Sequence, residues 1–224
     1  MESRRLVFSN REDAGRRLAA ELEKYSFVAP VVFALPRGGV PVAVEIAETL
    51  GAPLDLILVR KIGAPGNPEV ALAAIVEGDP PERVVNEDVM QRSGADQAYL
   101  EFETKRQTAE MQRRRDRYLD KRDRIDVVGK TAIVVDDGIA TGATMKAALI
   151  AVKRWGAAKL VLALPVAPAS QMPKLQKLAD EVICLIADLQ FRGVGSAYVD
   201  FHQLSDEETI SYLRRKWTTD QAST

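Results

Sequence analysis

The sequence predicts an α/β fold in which helices flank both faces of a mainly parallel, twisted sheet. Short apolar runs alternate along the chain with segments of helical periodicity. The runs are continuous rather than apolar at every second residue, which is typical of strands buried on both faces. Strands that alternate with helices indicate parallel pairing. The predicted strands are residues 30–35, 54–59, 70–76, 83–85, 131–135, 160–164 and 182–185.

Composition restricts the class of protein. The chain has 224 residues, 46% of them hydrophobic and 28% charged, as is usual for a globular protein. Its net charge is -1, from 31 basic and 32 acidic residues, so no overall field attracts nucleic acid or an anionic membrane. We therefore expect one domain over residues 1–224 whose ligands are recognised by local sites.

One cysteine and one histidine exclude an internal disulfide framework and any metal site with two histidines. Cys184 lies in an apolar run, where we expect a buried, unreactive thiol. Residues 1–6 lack the apolar run of a signal peptide, and no run is long enough to cross a bilayer. We expect a cytoplasmic protein without a membrane partner.

Capping residues indicate where several helices begin and end. Asn10 and Asp13 resemble a capping box at the start of the first helix. The helix after residue 39 is expected to end near Gly51. Ser205 and Glu208 form a capping box for a last helix, predicted over about 206–216.

Three other segments have distinctive local signals. Residues 62–68 are rich in glycine and proline and predict a mobile loop, directly after a strand that Arg60 and Lys61 close. The strand 160–164 is expected to be stopped by Pro165 and Pro168. Residues 96–124 predict a polar helix without a clear apolar stripe.

The turn after the strand 131–135 carries the chemistry. Asp136 and Asp137 end the strand, and Thr141 to Thr144 open a helix. Backbone N–H groups at a helix start, together with two hydroxyls, suit a phosphate. Two carboxylates so close to a phosphate would repel it unless they bound a ribose diol or a cation such as Mg2+. The turn therefore predicts a ribose 5-phosphate site.

The stretch Ile133–Thr144 resembles the signature of type I phosphoribosyltransferases that binds 5-phosphoribosyl-1-pyrophosphate (PRPP). It lacks the Gly-Lys-Ser/Thr ending of a Walker A loop. The resemblance implies the type I fold with a small hood lobe. It also implies a Mg2+-dependent transferase of nucleotide salvage, which moves 5-phosphoribosyl from PRPP to a nitrogenous base and releases pyrophosphate.

The resemblance implies roles for the residues of this turn. Asp136 and Asp137 would hold the ribose hydroxyls, directly or with Mg2+, and the following residues would hold the 5-phosphate. Oxopurine enzymes often carry an acidic residue where this chain has Ala140, so the turn is more similar to adenine or orotate enzymes. The implied substrate-binding residues of the turn are Gly138, Ala140, Thr141, Gly142, Ala143 and Thr144.

A pyrophosphate loop is implied after the first core strand, at Pro36–Gly39. Arg37 would supply a fixed charge, and Gly38 and Gly39 would expose backbone N–H groups. In relatives this loop can contain a non-proline cis peptide. Lys61 is a second implied pyrophosphate ligand, before a flexible loop that covers the site. Solvated basic side chains remain the alternative for Arg37 and Lys61.

The resemblance divides the chain into a core of about 28–186, a helical insertion of about 96–124 and a hood of about 187–204. In the hood, Phe191 is the candidate for stacking on the base, and Asp200 for a carboxylate near the metal. The spacing from Gly195 to Asp200 is one residue longer than in the oxopurine enzymes. Packing in the core remains the alternative for the hood aromatics.

A basic cluster lies near the end of the polar segment. A solvated helix is the first interpretation. A surface for RNA or a protein is the alternative, which would make the chain a PRPP-sensing regulator. Among aromatics only Tyr118 interleaves with the arginines, so we expect no nucleic acid partner. A generic phosphosugar-binding domain is a third possibility, and family habit implies a homodimer. The cluster comprises Arg113, Arg114, Arg115, Arg117, Lys121, Arg122 and Arg124.

Overall fold

The computed structural model describes residues 7–24, 27–78, 80–120 and 122–222. Residues 1–6, where no signal peptide was predicted, and Lys121 lie outside them. The helices are α1 Arg11–Leu22, α2 Gly39–Thr49, α3 Glu87–Arg92, α4 Gln97–Leu119, α5 Ala143–Arg154, α6 Met172–Leu175 and α7 Asp206–Ala222. The strands are β1 Val31–Ala34, β2 Leu54–Leu56, β3 Val59–Ala64, β4 Asn67–Val76, β5 Glu82–Val85, β6 Thr131–Val135, β7 Lys159–Pro168 and β8 Glu181–Asp188.

Five parallel strands form the main sheet, in the order β2-β1-β6-β7-β8. The predicted α/β fold with a mainly parallel sheet is confirmed. The chain moves outward from β1 to β2 and later returns to the other side of β1 with β6. Ala34 lies opposite Val135, so β1 and β6 end side by side. In open parallel sheets, ligands bind at the carboxyl ends of strands at this kind of topological switch point.

Both faces of this sheet are buried, which explains the continuous apolar runs. Along β6, Ile133 and Val135 pack into the cluster that contains α2, whereas Ala132 and Val134 pack into the cluster that contains α5. Every residue of β6 is buried. Successive side chains of a strand point to opposite faces, so a strand in the middle layer needs apolar residues at both.

The prediction of a mobile loop at 62–68 is wrong, because this segment is a β-hairpin. β3 and β4 pair antiparallel and join β5 in a separate three-stranded sheet. The two residues Pro65 and Gly66 form the turn, and Gly66 has φ +72°, a conformation that glycine adopts without strain. A Cβ on Gly63 would lie 2.4 Å from the Cα of Pro68, so close backbone approach explains this second glycine.

The predicted strand 54–59 is two strands in different sheets. β2 ends at Leu56, and β3 begins at Val59. Between them the backbone N–H of Leu58 donates to the Glu77 carboxylate at 3.0 Å, which stabilises the crossing from one sheet to the other. Arg60 and Lys61 therefore lie inside β3 rather than at the end of a strand.

Pro165 does not stop β7, contrary to the prediction. The strand continues to Pro168, paired with β8. On its other side, the recorded pairing with β6 ends where Val135 lies opposite Ala163. Beyond that point a proline removes no hydrogen bond between β7 and β6, which is the setting in which strands tolerate proline.

The polar segment contains α4, but the helix ends at Leu119, and Asp120 has φ +49°. Arg122 and Arg124 follow the helix and lie over the rings of Trp217 and Trp155, each at 4.3 Å. The predicted solvated helix is wrong for Arg115. This side chain is buried and bonds to Asp55 at 2.8 Å and to Glu77 at 3.1 Å. The face of α4 that packs on the core thus includes a charged residue, and no clear apolar stripe marks it.

The predicted helix caps are confirmed. The Asn10 side chain accepts from the backbone N–H of Asp13 at 2.9 Å. Ser205 and Glu208 exchange two hydrogen bonds, at 2.7 and 3.1 Å. Within the described part of the chain, no helix is both long and apolar enough to cross a membrane.

Candidate functional site

Two loops meet where β1 and β6 end. The backbone N–H of Leu35 donates to the Val135 carbonyl at 2.9 Å, and the Pro36–Arg37 peptide bond that follows is cis. A Cβ on Gly38 would lie 2.0 Å from the Asp137 Oδ2 atom. A Cβ on Gly39 would lie 2.8 Å from the Val135 carbonyl oxygen. Both positions require glycine, because the loop after β1 lies directly against the turn from Asp136 to Thr144. We call this segment the acidic turn.

Arg11 of α1 reaches the acidic turn from a distant part of the sequence. Its Nε donates to Asp137 Oδ2 at 2.8 Å, and its Nη1 donates to the carbonyl of His202 at 2.9 Å. The guanidinium lies 4.0 Å from the centre of the Phe201 ring. The Tyr198 hydroxyl donates to the main-chain carbonyl of Asp137 at 2.6 Å. Asp137 is therefore held through both its side chain and its backbone.

The carboxyl groups of the two aspartates lie in a poorly solvated place, which raises both pKa values. Burial raises the pKa of Asp136 well above its ordinary value, and the neighbouring Asp137 charge raises it further. Burial also raises the pKa of Asp137, although the Arg11 guanidinium opposes that rise. Closely spaced carboxylates of this kind favour a ligand that brings hydrogen-bond donors or positive charge.

The turn that follows is open to solvent. Gly142 has φ +73° and caps α5, and its carbonyl accepts the N–H of Lys146 at 2.8 Å. Ala140, Thr141 and Ala143 are exposed. The first backbone N–H groups of α5, which have no acceptor within the helix, therefore lie where the chain is open to solvent. Below the turn, Gly138 has φ +152°, and a Cβ there would lie 2.8 Å from the Val166 side chain. Rigid packing on one side and exposure on the other suit an anion site.

Arg37 lies beside a cavity of about 280 Å³ that Gly38, Asp137 and Arg11 also line. Its guanidinium is 3.7 Å from an Asp206 oxygen at the start of α7. Asp206 also accepts from Arg117 at 2.8 Å and from the Tyr118 hydroxyl at 2.6 Å. The structure thus brings Arg37 to the cavity beside Asp137, and Asp206 of α7 links it to α4.

Lys61 lies elsewhere. It lines a cleft of about 400 Å³ with Ala143 and Lys146, between the three-stranded sheet and the start of α5. Arg37 lines a different cavity. Lys61 is therefore adjacent to the proposed phosphate turn, whereas Arg37 is adjacent to the aspartates.

Hood residues join Phe8, Ala14 and Val166 in a small apolar cluster. Phe191 is partly buried against this cluster, which includes Phe8, Val166 and Tyr198. Asp200 is exposed and contacts His202, at 3.1 Å from the ring Nδ1. It lines a cavity of about 100 Å³ whose lining does not include Asp136 or Asp137.

Sequence reasoning missed Arg11, Asp206 and Lys146. Arg11 is 126 residues from Asp137, and no local pattern connects them. Lys146 stands one helical turn after Gly142, so a search for cations in the first turns of α5 could have found it. Cys184 is half-buried rather than fully buried as predicted, and this burial raises the pKa of its thiol to about 11.

The donor set fits Mg2+. Within the described residues, no group of three or more histidine, cysteine or acidic side chains is arranged to hold a metal ion. Protein sites for Mg2+ typically use one or two carboxylates together with substrate phosphates. Asp136 and Asp137, at the start of the exposed turn before α5, supply the two carboxylates of that smaller set.

Comparison with known proteins places this arrangement in a family. The model of the phosphoribosyl transferase domain matches residues 7–200. The crystal structure of TT1426 from Thermus thermophilus has a TM-score of 0.80 and 44% identity, over 93% of this chain and 98% of that chain.

Two curated relatives come from strains of Mycobacterium tuberculosis, H37Rv and CDC 1551. Their names are "Putative phosphoribosyl transferase Rv0571c" and "Putative phosphoribosyl transferase MT0597", and each is 46% identical over 209 residues. The match covers 93% of this chain but 47% of each relative, so the chain spans about half the length of the curated relatives it matches. With the family model matched over most of its length, the chain belongs to the phosphoribosyl transferase domain family, as its acidic turn predicted.

Proposed function

We propose that this chain is a Mg2+-dependent phosphoribosyltransferase that transfers the 5-phosphoribosyl group of PRPP to a nitrogenous base and releases pyrophosphate. One observation carries the proposal. The acidic pair and the open start of α5 lie on one turn, and the loop with Arg37 lies directly against that turn. A ligand with a phosphate, a diol and a diphosphate, in that order, is complementary to this arrangement.

The roles of the residues follow from their chemistry. The carboxylates of Asp136 and Asp137 accept hydrogen bonds from the ribose hydroxyls and orient the sugar. The first N–H groups of α5 and the hydroxyls of Thr141 and Thr144 bind the 5-phosphate. Arg37 and the N–H groups of Gly38 and Gly39 stabilise the departing pyrophosphate. Lys61, Phe191 and Asp200 remain proposed ligands of the pyrophosphate, the base and the metal.

The reaction consists of attack by the base on C1 of PRPP while the bond to pyrophosphate breaks. Positive charge builds up on the sugar, as in glycoside chemistry, so the adjacent carboxylates stabilise the transition state. Mg2+, when bound by Asp136 and Asp137, supplies positive charge that offsets the charge of the diphosphate. Ala140 provides no acid or base, so proton transfer at the acceptor must use another group.

Calorimetry with PRPP and MgCl2 tests the proposal, on the native chain and on Asp136→Asn/Asp137→Asn. We expect binding that requires Mg2+ and is lost in the double variant. Asp116→Asn/Asp123→Asn is the matched control, since it makes the same change in charge at two exposed residues outside the turn. A folded native chain that binds no PRPP refutes the proposal.

Two further measurements separate the rival functions. Release of pyrophosphate with any base from a panel supports the transferase, whereas RNA affinity that changes with PRPP supports the regulatory alternative. Ribose 5-phosphate that binds as tightly as PRPP indicates a generic phosphosugar-binding domain. A homodimer in the cytoplasm completes the proposal, and light scattering of the purified chain tests the dimer.

A further inference from the structure

Arg11 has three partners, which come from two separate parts of the chain. It is only 7% exposed. Its Nε donates to the Asp137 carboxylate, its Nη1 donates to the main chain at His202, and its flat face lies over Phe201. A buried guanidinium with such partners is fixed in position, because each contact restrains a different edge or face of the planar group.

Asp137 is confined by two further groups. Gly38 lies so close to its carboxylate that a methyl group could not be accommodated between them. The Tyr198 hydroxyl holds its carbonyl at 2.6 Å. Arg11 thus completes an enclosure whose other parts are the diphosphate loop and the hood.

We infer that Arg11 is a positioning residue of the proposed PRPP site, which holds the Asp137 carboxylate against the Gly38 loop. This inference rests on the proposed function. Arg11 acts through Asp137, since its Nε and Nη1 are already bonded to Asp137 and to the His202 carbonyl.

The shape of the guanidinium, and not only its charge, is required by this geometry. Two N–H groups of one planar fork reach two acceptors, a carboxylate and a carbonyl, at 2.8 and 2.9 Å. A lysine ammonium is a compact charge on a flexible stem and cannot reproduce a planar fork that also stacks on a ring. Arg11→Lys therefore retains the positive charge but loses the planar fork of N–H donors.

The chain offers a matched control for this substitution. Arg115 is also 7% exposed and is bonded to two carboxylates, of Asp55 and Glu77, far along the chain from the acidic turn. Arg115→Lys changes a buried arginine to lysine in the same way. It reports how much of any effect comes from a general loss of stability.

The test measures PRPP affinity by calorimetry and the melting temperature of both variants. We expect Arg11→Lys to weaken PRPP binding by about tenfold or more, because small misplacements of binding groups are costly. Arg115→Lys should lower the melting temperature and leave the affinity within about twofold, since changes at distant sites are independent. Native affinity in Arg11→Lys, or equal losses in both variants, overturns the inference.

A second pair of variants covers the case in which Arg11→Lys does not fold. Arg11→Met/Asp137→Asn removes both charges together and leaves no unpaired buried ion, so it should fold. We expect the same PRPP affinity for this pair as for Asp137→Asn alone, because Arg11 acts through Asp137. A further loss in the double variant shows that Arg11 acts by a route other than the Asp137 carboxylate and overturns this positioning role. If the native chain binds no PRPP, the proposed function fails first and the inference fails with it.

Discussion

Two buried arginines of equal exposure hold this molecule together in different ways. Arg115 fixes the insertion helix α4 to the edge strand β2 through Asp55 and to the end of β4 through Glu77. Arg11 fixes α1 to the acidic turn through Asp137 and to the hood through a main-chain carbonyl. Each guanidinium has two hydrogen-bonded partners and is 7% exposed.

The difference lies in what surrounds the carboxylates. Asp55 and Glu77 are buried, at 2% and 6% exposure, and Asp55 also accepts the backbone N–H of Ile125. Asp137 instead lines a cavity with Arg37, beside the turn proposed to bind phosphate. Arg115 and Glu77 line a separate cleft of about 610 Å³ that includes no residue of that turn. The same chemistry is thus expected to govern stability in one region and binding in the other.

Removal of a carboxylate from the ionic network of Arg115, Asp55 and Glu77 should have the largest effect on stability. Asp55→Ala removes the acceptor of Arg115 Nη2 and leaves this buried guanidinium bonded to Glu77 alone. We expect a loss of about 3–5 kcal/mol in the free energy of unfolding, measured by urea denaturation. Asp126→Ala, at an exposed position, is the control. A loss below about 1 kcal/mol would show that the network relaxes around the missing charge.

Substitution in the diphosphate loop should have the largest effect on binding. In Gly38→Ala the new methyl group meets the Asp137 carboxylate at 2.0 Å, so the loop or the aspartate must move. We expect PRPP binding to disappear in calorimetry, with a stability loss of about 1–3 kcal/mol from overpacking.

Gly51→Ala is the control for that substitution. Gly51 has φ +58° and no atom within 4 Å of the added methyl group, so it costs stability without a contact at the site. We expect native PRPP affinity for this variant. Unchanged affinity in Gly38→Ala would contradict the close approach of the two loops as a feature of binding.

A smaller effect is expected at Asp206, which contacts residues of both regions. Asp206 contacts Arg37 of the site and Arg117 of the insertion helix. A diphosphate must compete with Asp206 for Arg37, so Asp206→Asn should tighten binding of pyrophosphate by a few-fold. The pair is partly exposed, which limits the gain to about 1 kcal/mol. Weaker binding of pyrophosphate in calorimetry would show that Asp206 supports Arg37 rather than competing for it.

The smallest effect is a shift in one titration. His202 is the only histidine, and hydrogen bonds to the Asp200 and Glu208 carboxylates raise its pKa above 6.5. A raised histidine pKa gives stability that is complete below about pH 6.5 and is lost as the pH rises through the folded-state value. Proton NMR should show this raised pKa in the native chain and a lower one in Asp200→Asn. An unchanged pKa in that variant would contradict the pairing.

The parts of the site that lie within one short segment could be predicted from the sequence. Contacts between residues far apart in the chain could not. The turn from Asp136 to Thr144 carries its acidic pair, its glycines and its helix start within nine residues, so its chemistry is local. Arg11 reaches Asp137 across 126 residues, a relation that exists only after folding.

The errors in the fold have the same origin. Pro65 and Gly66 break helices and central strands but also suit a two-residue turn, so their presence alone does not distinguish a loop at 62–68 from a hairpin. Pro165 alone predicts an end to β7, because the length of the neighbouring strand β6 is not visible in the residues around the proline. The residues themselves show where a turn or a break is favoured. The neighbouring strand determines whether that segment becomes a loop or remains part of a sheet.

The placement of the two tryptophans determines what intrinsic fluorescence can report. Trp155 and Trp217 each lie beneath an arginine from the segment after α4. Both indoles therefore sense the junction of the insertion helix with the core, and neither lines the cavity beside Asp137. Emission spectra should follow the loosening of that junction during unfolding and remain nearly silent when a ligand enters the acidic turn.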